Sequence, residues 1–292
     1  LGRARRRVLV LDDGQPRNRF ASHMHTVLGH EGTDPAALLV RGRAEAAGYD
    51  VQLSPGRAVA LTASPADGGQ LLELTTTTGS VVVGRTAVVA TGVTDRLPEI
   101  PGLAERWGRS VLHCPYCHGW EVRGQRLGVL VTGPVGFHQA QLIRQWSEHL
   151  VVFTGMHDVP AELERRLRSR GIEIVTGPVD EVLGDGHQVT AVRTSGGTVT
   201  EVDAIFTAST LEPNDAFLAP LALERTELPM GMGSFLAVDP FGRTSNERVW
   251  AVGNVANPSL GVAASMGAGT LAGGAVNMAL ITEEFDAAEL TA

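Results

Sequence analysis

Two cysteines, Cys114 and Cys117, lie three positions apart, and they are the only cysteines of the 292-residue sequence. A pair with this spacing can open and close as a disulfide. In a chain without other cysteines it favours redox or metal chemistry over a structural staple. A structural disulfide is disfavoured because so short a loop removes little chain entropy from the unfolded state. The sequence therefore predicts a redox-active dithiol.

Two further kinds of site share this motif. A zinc ion needs four ligands in a tetrahedron and one cysteine pair supplies two, while His113 and His118 each adjoin a cysteine and reach the same ion awkwardly. Residues 114–118 also match the attachment pattern of c-type haem, which requires an exported protein. The ligand count therefore disfavours a metal. The first residues show no apolar signal segment, so we expect no haem at this motif either.

Composition narrows the class of protein. The chain carries 32 acidic and 24 basic residues, a net charge of −8, and its basic residues are scattered arginines without a lysine, so we expect no nucleic-acid partner. The length of 292 residues allows two domains, and the 43% of hydrophobic residues is enough for their cores. We see no run of about 18 apolar residues, and we expect no membrane span and a cytoplasmic protein.

Residues 5–14 predict a buried parallel strand that ends in acid and glycine. In a dinucleotide-binding unit this is the second strand, and its acid, here Asp12, binds the adenosine ribose. The first strand and its Gly-x-Gly-x-x-Gly loop would lie about 20 residues earlier, before the sequence begins at Leu1. A plain strand followed by a solvated acidic turn remains the alternative.

Other stretches fit the same kind of unit. A strand over 85–92 ends at Thr91 and Gly92, and a strand over 247–256 contains Gly253 and Asn254. Glycine at such strand ends lets the backbone approach a dinucleotide closely. We predict helices over 35–47, with Asp34 as N-cap, and over 261–277, where small residues bring a helix N-terminus close to a cofactor. Antiparallel strands are predicted over 51–62 and 71–78, around a turn at 66–69.

Residues 125–136 predict a second strand followed by a glycine loop. Val135 occupies the place of the second glycine of that loop, and His138 the place of the third small residue. Residues 153–157 contain no arginine for a 2′-phosphate, and Asp158 lies too far along to bind a ribose. Helices over 137–147 and 160–170 and strands over 149–154, 172–175, 189–194 and 202–207 complete a domain that we expect to bind pyridine nucleotide poorly or not at all.

In this order, the strand ending at Asp12, the Ala-Thr-Gly at 90–92, the cysteine motif, the glycine loop at 133 and the Val-Gly-Asn at 252–254 resemble low-molecular-weight thioredoxin reductases over nearly the whole chain. The resemblance implies an α/β fold of two Rossmann-like domains, the second inserted into the first, with three-layer ββα character. It implies an FAD-binding domain over 1–121 and 236–292, an NAD(P)-binding-like insert over 122–235, and a homodimer.

The same resemblance assigns roles to residues. Cys117 would lie against the flavin and Cys114 would face the substrate. The cofactor-binding residues would be Asp12 on the ribose, Gly253 and Asn254 on the ribityl and pyrophosphate region, Gly261 and Val262 at the edge of the flavin ring, together with Asn18, Thr91 and Gly92.

Two departures from thioredoxin reductase shift the expected activity. His118 follows Cys117 where reductases have an acid, and Asn254 stands where they have Asp. The motif Cys-Pro-Tyr-Cys-His and the weak second glycine loop are more similar to the dithiol oxidases of gliotoxin and holomycin biosynthesis. Those oxidases pass electrons from a small-molecule dithiol to O2, form H2O2 and do not need NADPH.

His118 is the candidate base, because an unperturbed imidazole titrates near neutral pH. Its alternative is a hydrogen-bonded spacer at a helix start, and His113 and His138 are weaker candidates, the latter read as a surface residue. Tyr116 and Trp120 would line a substrate pocket or simply pack, and the loop at 23–25 would be solvated or shape that pocket. The competing functions are an NADPH-dependent thioredoxin reductase and a non-enzymatic redox sensor or binding remnant.

Overall fold

The computed structural model describes residues 1–66 and 69–291. The chain divides into two compact units. Unit 1 comprises Leu1–Thr94, Leu211–Leu228 and Gly233–Ala292, and unit 2 comprises Asp95–Thr210 and Pro229–Met232.

Five α-helices form in the described residues: α1 (Pro35–Ala47), α2 (Pro115–His118), α3 (Pro134–Ile143), α4 (Ala161–Ser169) and α5 (Val262–Glu289). The strands of the first half of the chain are β1 (Leu9–Asp12), β2 (Gln52–Pro55), β3 (Ala58–Ala66), β4 (Gly69–Thr76), β5 (Val81–Gly84), β6 (Ala87–Val89), β7 (Val93–Arg96), β8 (Val111–Leu112) and β9 (Leu127–Leu130). Those of the second half are β10 (Leu150–Phe153), β11 (Glu173–Val175), β12 (Val179–Asp185), β13 (Gln188–Thr194), β14 (Val199–Glu201), β15 (Ala204–Thr207), β16 (Thr210–Pro213), β17 (Arg225–Leu228), β18 (Gly233–Leu236) and β19 (Val249–Ala251).

Unit 2 is built around a five-stranded parallel sheet of order β11-β10-β9-β15-β8. Strands β9 and β15 are buried along their whole length, as expected of parallel strands covered on both faces. One face packs against α3 and α4 through Ile143 and Leu167, and the other packs against the antiparallel sheet β12-β13-β14 through Val182 and Val192. The predicted three-layer ββα arrangement is confirmed in this unit.

Unit 1 is also built of a helical layer, parallel strands and an antiparallel sheet. Its parallel strands form two pairs, β1 with β2 and β6 with β19. The antiparallel sheet β3-β4-β5 packs on the second pair, where Leu61 and Leu72 meet Val249. Helix α5 covers the opposite side of β19, where Val276 packs with Trp250.

The two compact units have other limits than the domain boundaries predicted at 122 and 235. Residues 95–121, with the cysteine motif, belong to unit 2, because β8 pairs with β15 and Leu103 is buried in the core of that unit. Residues 211–228 and 233–235 belong to unit 1, where Leu218 and Leu236 pack in the same core as β3 and β4. Long-range strand pairing, which the sequence pattern does not reveal, sets these limits.

Local predictions are confirmed where they depend on capping and periodicity. Helix α1 has the predicted bounds, and Asp34 accepts a hydrogen bond from the Ala36 amide at 2.7 Å. The strand predicted over 51–62 is two strands, because Gly56 breaks it with a φ of 155° and β2 pairs with β1 instead. The turn predicted at 66–69 includes residues 67 and 68, which lie outside the described residues.

Helix α5 is longer than the predicted 261–277, and by length and composition it could cross a membrane, which the sequence analysis did not expect. One such helix is weak evidence for a membrane protein. Ala272, Val276 and Leu280 are buried against β19, so α5 forms a layer of unit 1.

Candidate active site

The cysteine pair lies at the start of α2. Cys114 is the N-cap, with extended backbone (φ −102°, ψ 115°), and Pro115 occupies the first helical position, where its missing N–H costs no hydrogen bond. The backbone amides of Cys117 and His118 both donate to the Cys114 carbonyl at 3.2 Å. This turn brings the two sulfurs to 2.7 Å, within reach of a disulfide. Cys117 is exposed and Cys114 is half-buried.

Helix α2 has only four residues, and α3 and the residues that follow it hold α2 in place. Gln139 of α3 donates from Nε2 to the His113 carbonyl at 2.8 Å. Trp146 contacts the edge of the Tyr116 ring, with centroids 5.7 Å apart, and lies so close to Gly119 that a Cβ there would come within 2.8 Å of the indole. The cysteine pair is therefore held at both ends of α2.

His118 is the last residue of α2 and lies four positions after Cys114. It directly follows Cys117, which places the imidazole next to the cysteine pair in the chain. His113 precedes the N-cap and is half-buried. His138 is exposed on α3, as the surface interpretation expected.

Tyr116, Trp120 and the loop at 23–25 differ in how far the structure buries them. Tyr116 and Trp120 are 69% and 66% exposed, so neither is core packing. In unit 1 the loop at 23–25 is not simply solvated, because Met24 is 6% exposed and His25 bonds to Glu31 at 2.5 Å.

Asp12 ends β1, and its carboxylate accepts hydrogen bonds from Arg43 at 2.6 Å and from the Gly14 amide at 2.9 Å. The hydrogen bond from Arg43, followed by that from Gly14, lowers the pKa of Asp12, so the group is an anion at neutral pH. Both partners of the Arg43 pair are 44% exposed, and an exposed pair of this kind is weak enough for a ribose hydroxyl to displace. Asn18 lies in the turn that follows, where its carbonyl accepts from Ala21.

Thr91 and Gly92 follow β6, and Asn214 holds both of them. The Asn214 side chain donates to the Thr91 carbonyl at 3.0 Å, and its backbone amide donates to the Gly92 carbonyl at 3.0 Å. Gly92 has a φ of +70°, and no atom lies within 4 Å of where a Cβ would stand, so its backbone is open to a ligand.

Gly253 and Asn254 follow β19, whose end lies beside that of β6 because the two strands pair in parallel. Gly253 has a φ of +69° with only Ser265 near its missing Cβ, at 3.8 Å. The Asn254 amide donates to the carbonyls of Asn257 and Leu260 at 3.1 and 2.9 Å, which shapes the loop that leads into α5. An Asp at this position would lack that donor.

Helix α5 begins at Val262 with Gly261 as N-cap, and no side chain caps it. Its N-terminus therefore offers backbone amides and the positive end of a helix dipole to an anion. This helix end, the two open glycines and the anionic Asp12 are a donor and acceptor set of the kind that a flavin dinucleotide requires. The residues of unit 1 fit FAD.

One glycine of the loop in unit 2, Gly136, has a role in packing. A Cβ on Gly136 would lie 2.9 Å from the Val131 Cα, so Gly136 permits the close packing of α3 on Val131, the residue that follows β9. Val135 and His138 stand where a nucleotide-binding loop needs small residues. Four residues that support the site carry no local motif and were not predicted: Asn214, Gln139, Trp146 and Arg17. The last donates to the Pro258 carbonyl at 3.0 Å and to the Asn254 Oδ1 at 3.5 Å. No group of three potential metal ligands occurs in residues 1–66 and 69–291.

Comparison with known proteins defines the class. The family model of the pyridine nucleotide-disulphide oxidoreductases matches residues 1–278, and the chain belongs to this family. The crystal structure of HlmI superposes with a TM-score of 0.94 and 36% identity, covering 99% of this chain and 90% of that one. Thioredoxin reductase aclD of Aspergillus oryzae is 30% identical over 93% of this chain and 88% of its own length.

Thioredoxin reductase tcpT of Claviceps purpurea is 29% identical over 66% of this chain, and the match spans 56% of its length. The chain is thus a thioredoxin reductase-like flavin oxidoreductase, of a family whose members bind FAD. The predicted family, fold class and cofactor are confirmed.

Proposed function

We propose that the protein is an FAD-dependent dithiol oxidase that closes a disulfide in a small-molecule dithiol, and that O2 is reduced to H2O2. The observation that carries the proposal is the pair of sulfurs 2.7 Å apart, with Cys117 exposed, in a chain without other cysteines. The net reaction converts one dithiol and one O2 into one disulfide and one H2O2. The similarity of the motif to gliotoxin- and holomycin-type oxidases supports the choice of substrate class and a role in antibiotic biosynthesis.

The chemistry of the chain is thiol–disulfide exchange. A substrate thiolate attacks the Cys114 sulfur of the oxidised pair, and Cys117 leaves as a thiolate. The second substrate thiol gives its proton to His118, and its sulfur attacks the substrate sulfur of the mixed disulfide. Cys114 then leaves as a thiolate, so the substrate has lost two electrons and the enzyme pair has gained them.

When bound, FAD would supply the electron-transfer chemistry between the cysteine thiolates and O2. Asp12 would hold its ribose, and the backbone at Gly92 and Gly253 and the α5 N-terminus at Gly261 and Val262 would hold its pyrophosphate and ring edge. Asn18, Thr91 and Asn254 would complete the cofactor site. In this assignment Asn254 acts mainly by ordering the loop, because its amide is already engaged.

Oxygen uptake by FAD-loaded protein, with a small dithiol and without NADPH, tests the proposal. We expect O2 to be consumed and H2O2 to be formed in equal amounts. With Cys117→Ser we expect neither. Uptake that persists in Cys117→Ser, or a wild-type protein without dithiol-dependent uptake, would contradict the proposal.

The second candidate is an NADPH-dependent thioredoxin reductase. The similarity to aclD of Aspergillus oryzae favours it, because that relative, 30% identical over 93% of this chain, is called a thioredoxin reductase. NADPH-driven reduction of a disulfide substrate, without dithiol-driven oxygen uptake, would establish the reductase instead.

We further propose a cytoplasmic homodimer. The cytoplasm is the compartment in which a cysteine pair of this spacing is normally catalytic, and thioredoxin reductase-like enzymes support the dimer by resemblance. Light scattering of the FAD-loaded protein would give the mass of two chains, and a mass of one chain would rule the dimer out.

A further inference from the structure

Gln139 is a buried polar residue that the exchange reaction does not use. It is 4% exposed, on the face of α3 that packs beside Ala140 and Ile143. Its Nε2 donates to the His113 carbonyl at 2.8 Å, while its Oε1 is buried with no hydrogen-bond partner among the described residues. An unpartnered buried oxygen destabilises the fold, and a methionine of the same length would pack without one.

The hydrogen bond from the Gln139 side chain holds His113, the residue directly before Cys114. The His113 carbonyl belongs to the peptide group that joins His113 to Cys114, so its orientation is coupled to the backbone conformation of Cys114. That conformation, extended at the N-cap, directs the Cys114 sulfur toward Cys117. A helix of four residues cannot set this geometry alone, because one hydrogen-bonded turn is unstable in isolation.

We propose that Gln139 is a positioning residue for the dithiol: by fixing the His113 carbonyl it holds the two sulfurs of Cys114 and Cys117 together and stabilises their disulfide. Fixing two groups at bonding distance raises the effective concentration of one thiol at the other. The proposal rests on the redox role of the pair under the proposed function, and it adds a residue on another helix.

The equilibrium between the dithiol and glutathione tests this without the flavin reaction. The whole protein would be equilibrated in buffers of reduced and oxidised glutathione, and alkylation with mass spectrometry would give the fraction of oxidised pair. We expect Gln139→Met to shift the equilibrium constant toward the dithiol roughly 2- to 10-fold, the range that one hydrogen bond supports. Its melting temperature should be equal to or above that of the wild type, because the unpartnered oxygen is removed.

Gln188, which is exposed where Gln139 is buried, provides a control in the same unit. Its Nε2 also donates to a backbone carbonyl of unit 2, that of Asp203 at 2.6 Å, far in sequence from the cysteines. Gln188→Met should leave the glutathione equilibrium unchanged. Gln139→Leu, which also removes the donor and adds no polar atom, should shift the equilibrium in the same direction as Gln139→Met and covers the case in which the methionine variant does not fold.

An equilibrium constant within twofold of the wild type in a folded Gln139 variant would overturn the proposal, and so would an equal shift in Gln188→Met. A Gln139 variant that lowers the melting temperature without moving the equilibrium would show that the amide is only structural. A wild-type pair that does not exchange with glutathione would instead overturn the proposed function, so the two failures are distinguishable.

Discussion

Cys117 and Cys114 differ in exposure, and the difference bears on which sulfur the substrate attacks. Cys117 is exposed and Cys114 is half-buried. Exposure alone would favour attack at Cys117, whereas the family resemblance assigns the substrate to Cys114. Single-cysteine variants separate these two roles.

In Cys117→Ser, Cys114 remains, and we expect it to form a stable mixed disulfide with the substrate, because the resolving cysteine is absent. Turnover should be lost. Intact-mass spectrometry after incubation with the oxidised substrate would detect the adduct. Cys114→Ser is the matched variant, and an adduct that forms readily there but not in Cys117→Ser would reverse the assignment.

His118 directly follows Cys117 and is the last residue of α2. If it accepts the proton of the second substrate thiol, His118→Gln should lower the rate of dithiol oxidation about 100-fold at neutral pH, a typical effect of losing a general base. The loss should shrink as the pH rises, since the substrate thiol then ionises unaided. His138→Gln, on the exposed face of α3, is the control and should have the wild-type rate. An unchanged rate in His118→Gln would show that His118 is only a spacer.

At the scale of elements, α5 is fastened to unit 1 by an ionic cluster. Glu283 binds Arg248 at 2.8 Å and Arg85 at 2.9 Å, and Glu284 binds Arg85 at 2.6 Å and Arg6 at 2.5 Å. These bonds tie α5 to the residues just before β1, β6 and β19. The cluster thereby stabilises the frame that presents Gly92 and Gly253.

The cluster predicts how stability depends on pH. Hydrogen bonds from Arg248 and then Arg85 lower the pKa of Glu283, and those from Arg6 and Arg85 lower the pKa of Glu284 to about 2, from an ordinary 4.5. A carboxylate whose pKa is lower in the folded state stabilises the fold above pH 4.5 and loses that contribution as the pH falls toward 2. The melting temperature should therefore fall as the pH drops below about 4.5.

Glu283→Gln should lower the melting temperature at pH 7 by roughly 2–4 °C and flatten its dependence on pH below 4.5. Differential scanning calorimetry across this range would measure both effects. Glu247→Gln is the control, because Glu247 is 88% exposed and 4.0 Å from Arg243. An equal effect in the two variants would contradict the role of the cluster.

At the scale of the whole molecule, the chain combines a cofactor-binding unit that fits FAD with a second unit whose glycine loop is altered at Val135 and His138. The dithiol, rather than a pyridine nucleotide, is then the expected source of electrons. Anaerobic addition of a small dithiol should bleach the flavin absorbance of the FAD-loaded protein, and millimolar NADPH should not. Bleaching by NADPH alone would show that the altered loop still binds the nucleotide.

The sequence by itself predicted a dithiol and determined most of the local elements. The spacing of Cys114 and Cys117, the glycines at strand ends and the Asp34 cap are local signals, because a four-residue turn or a strand end depends on neighbours in the chain. Such signals predicted α1, the parallel strands and the dithiol, and their order predicted the family.

Only the tertiary structure decided the limits of the two units and the residues that hold the site. Strand β8 joins the sheet of unit 2 by pairing with β15, more than 90 residues later, and Asn214 reaches Gly92 across a similar separation. Gln139 and Trp146 meet the cysteine motif because α3 packs beside α2. Contacts of this kind arise from the packing of surfaces that share no sequence signature, which is why the positioning of the dithiol was not predictable from the motif that contains it.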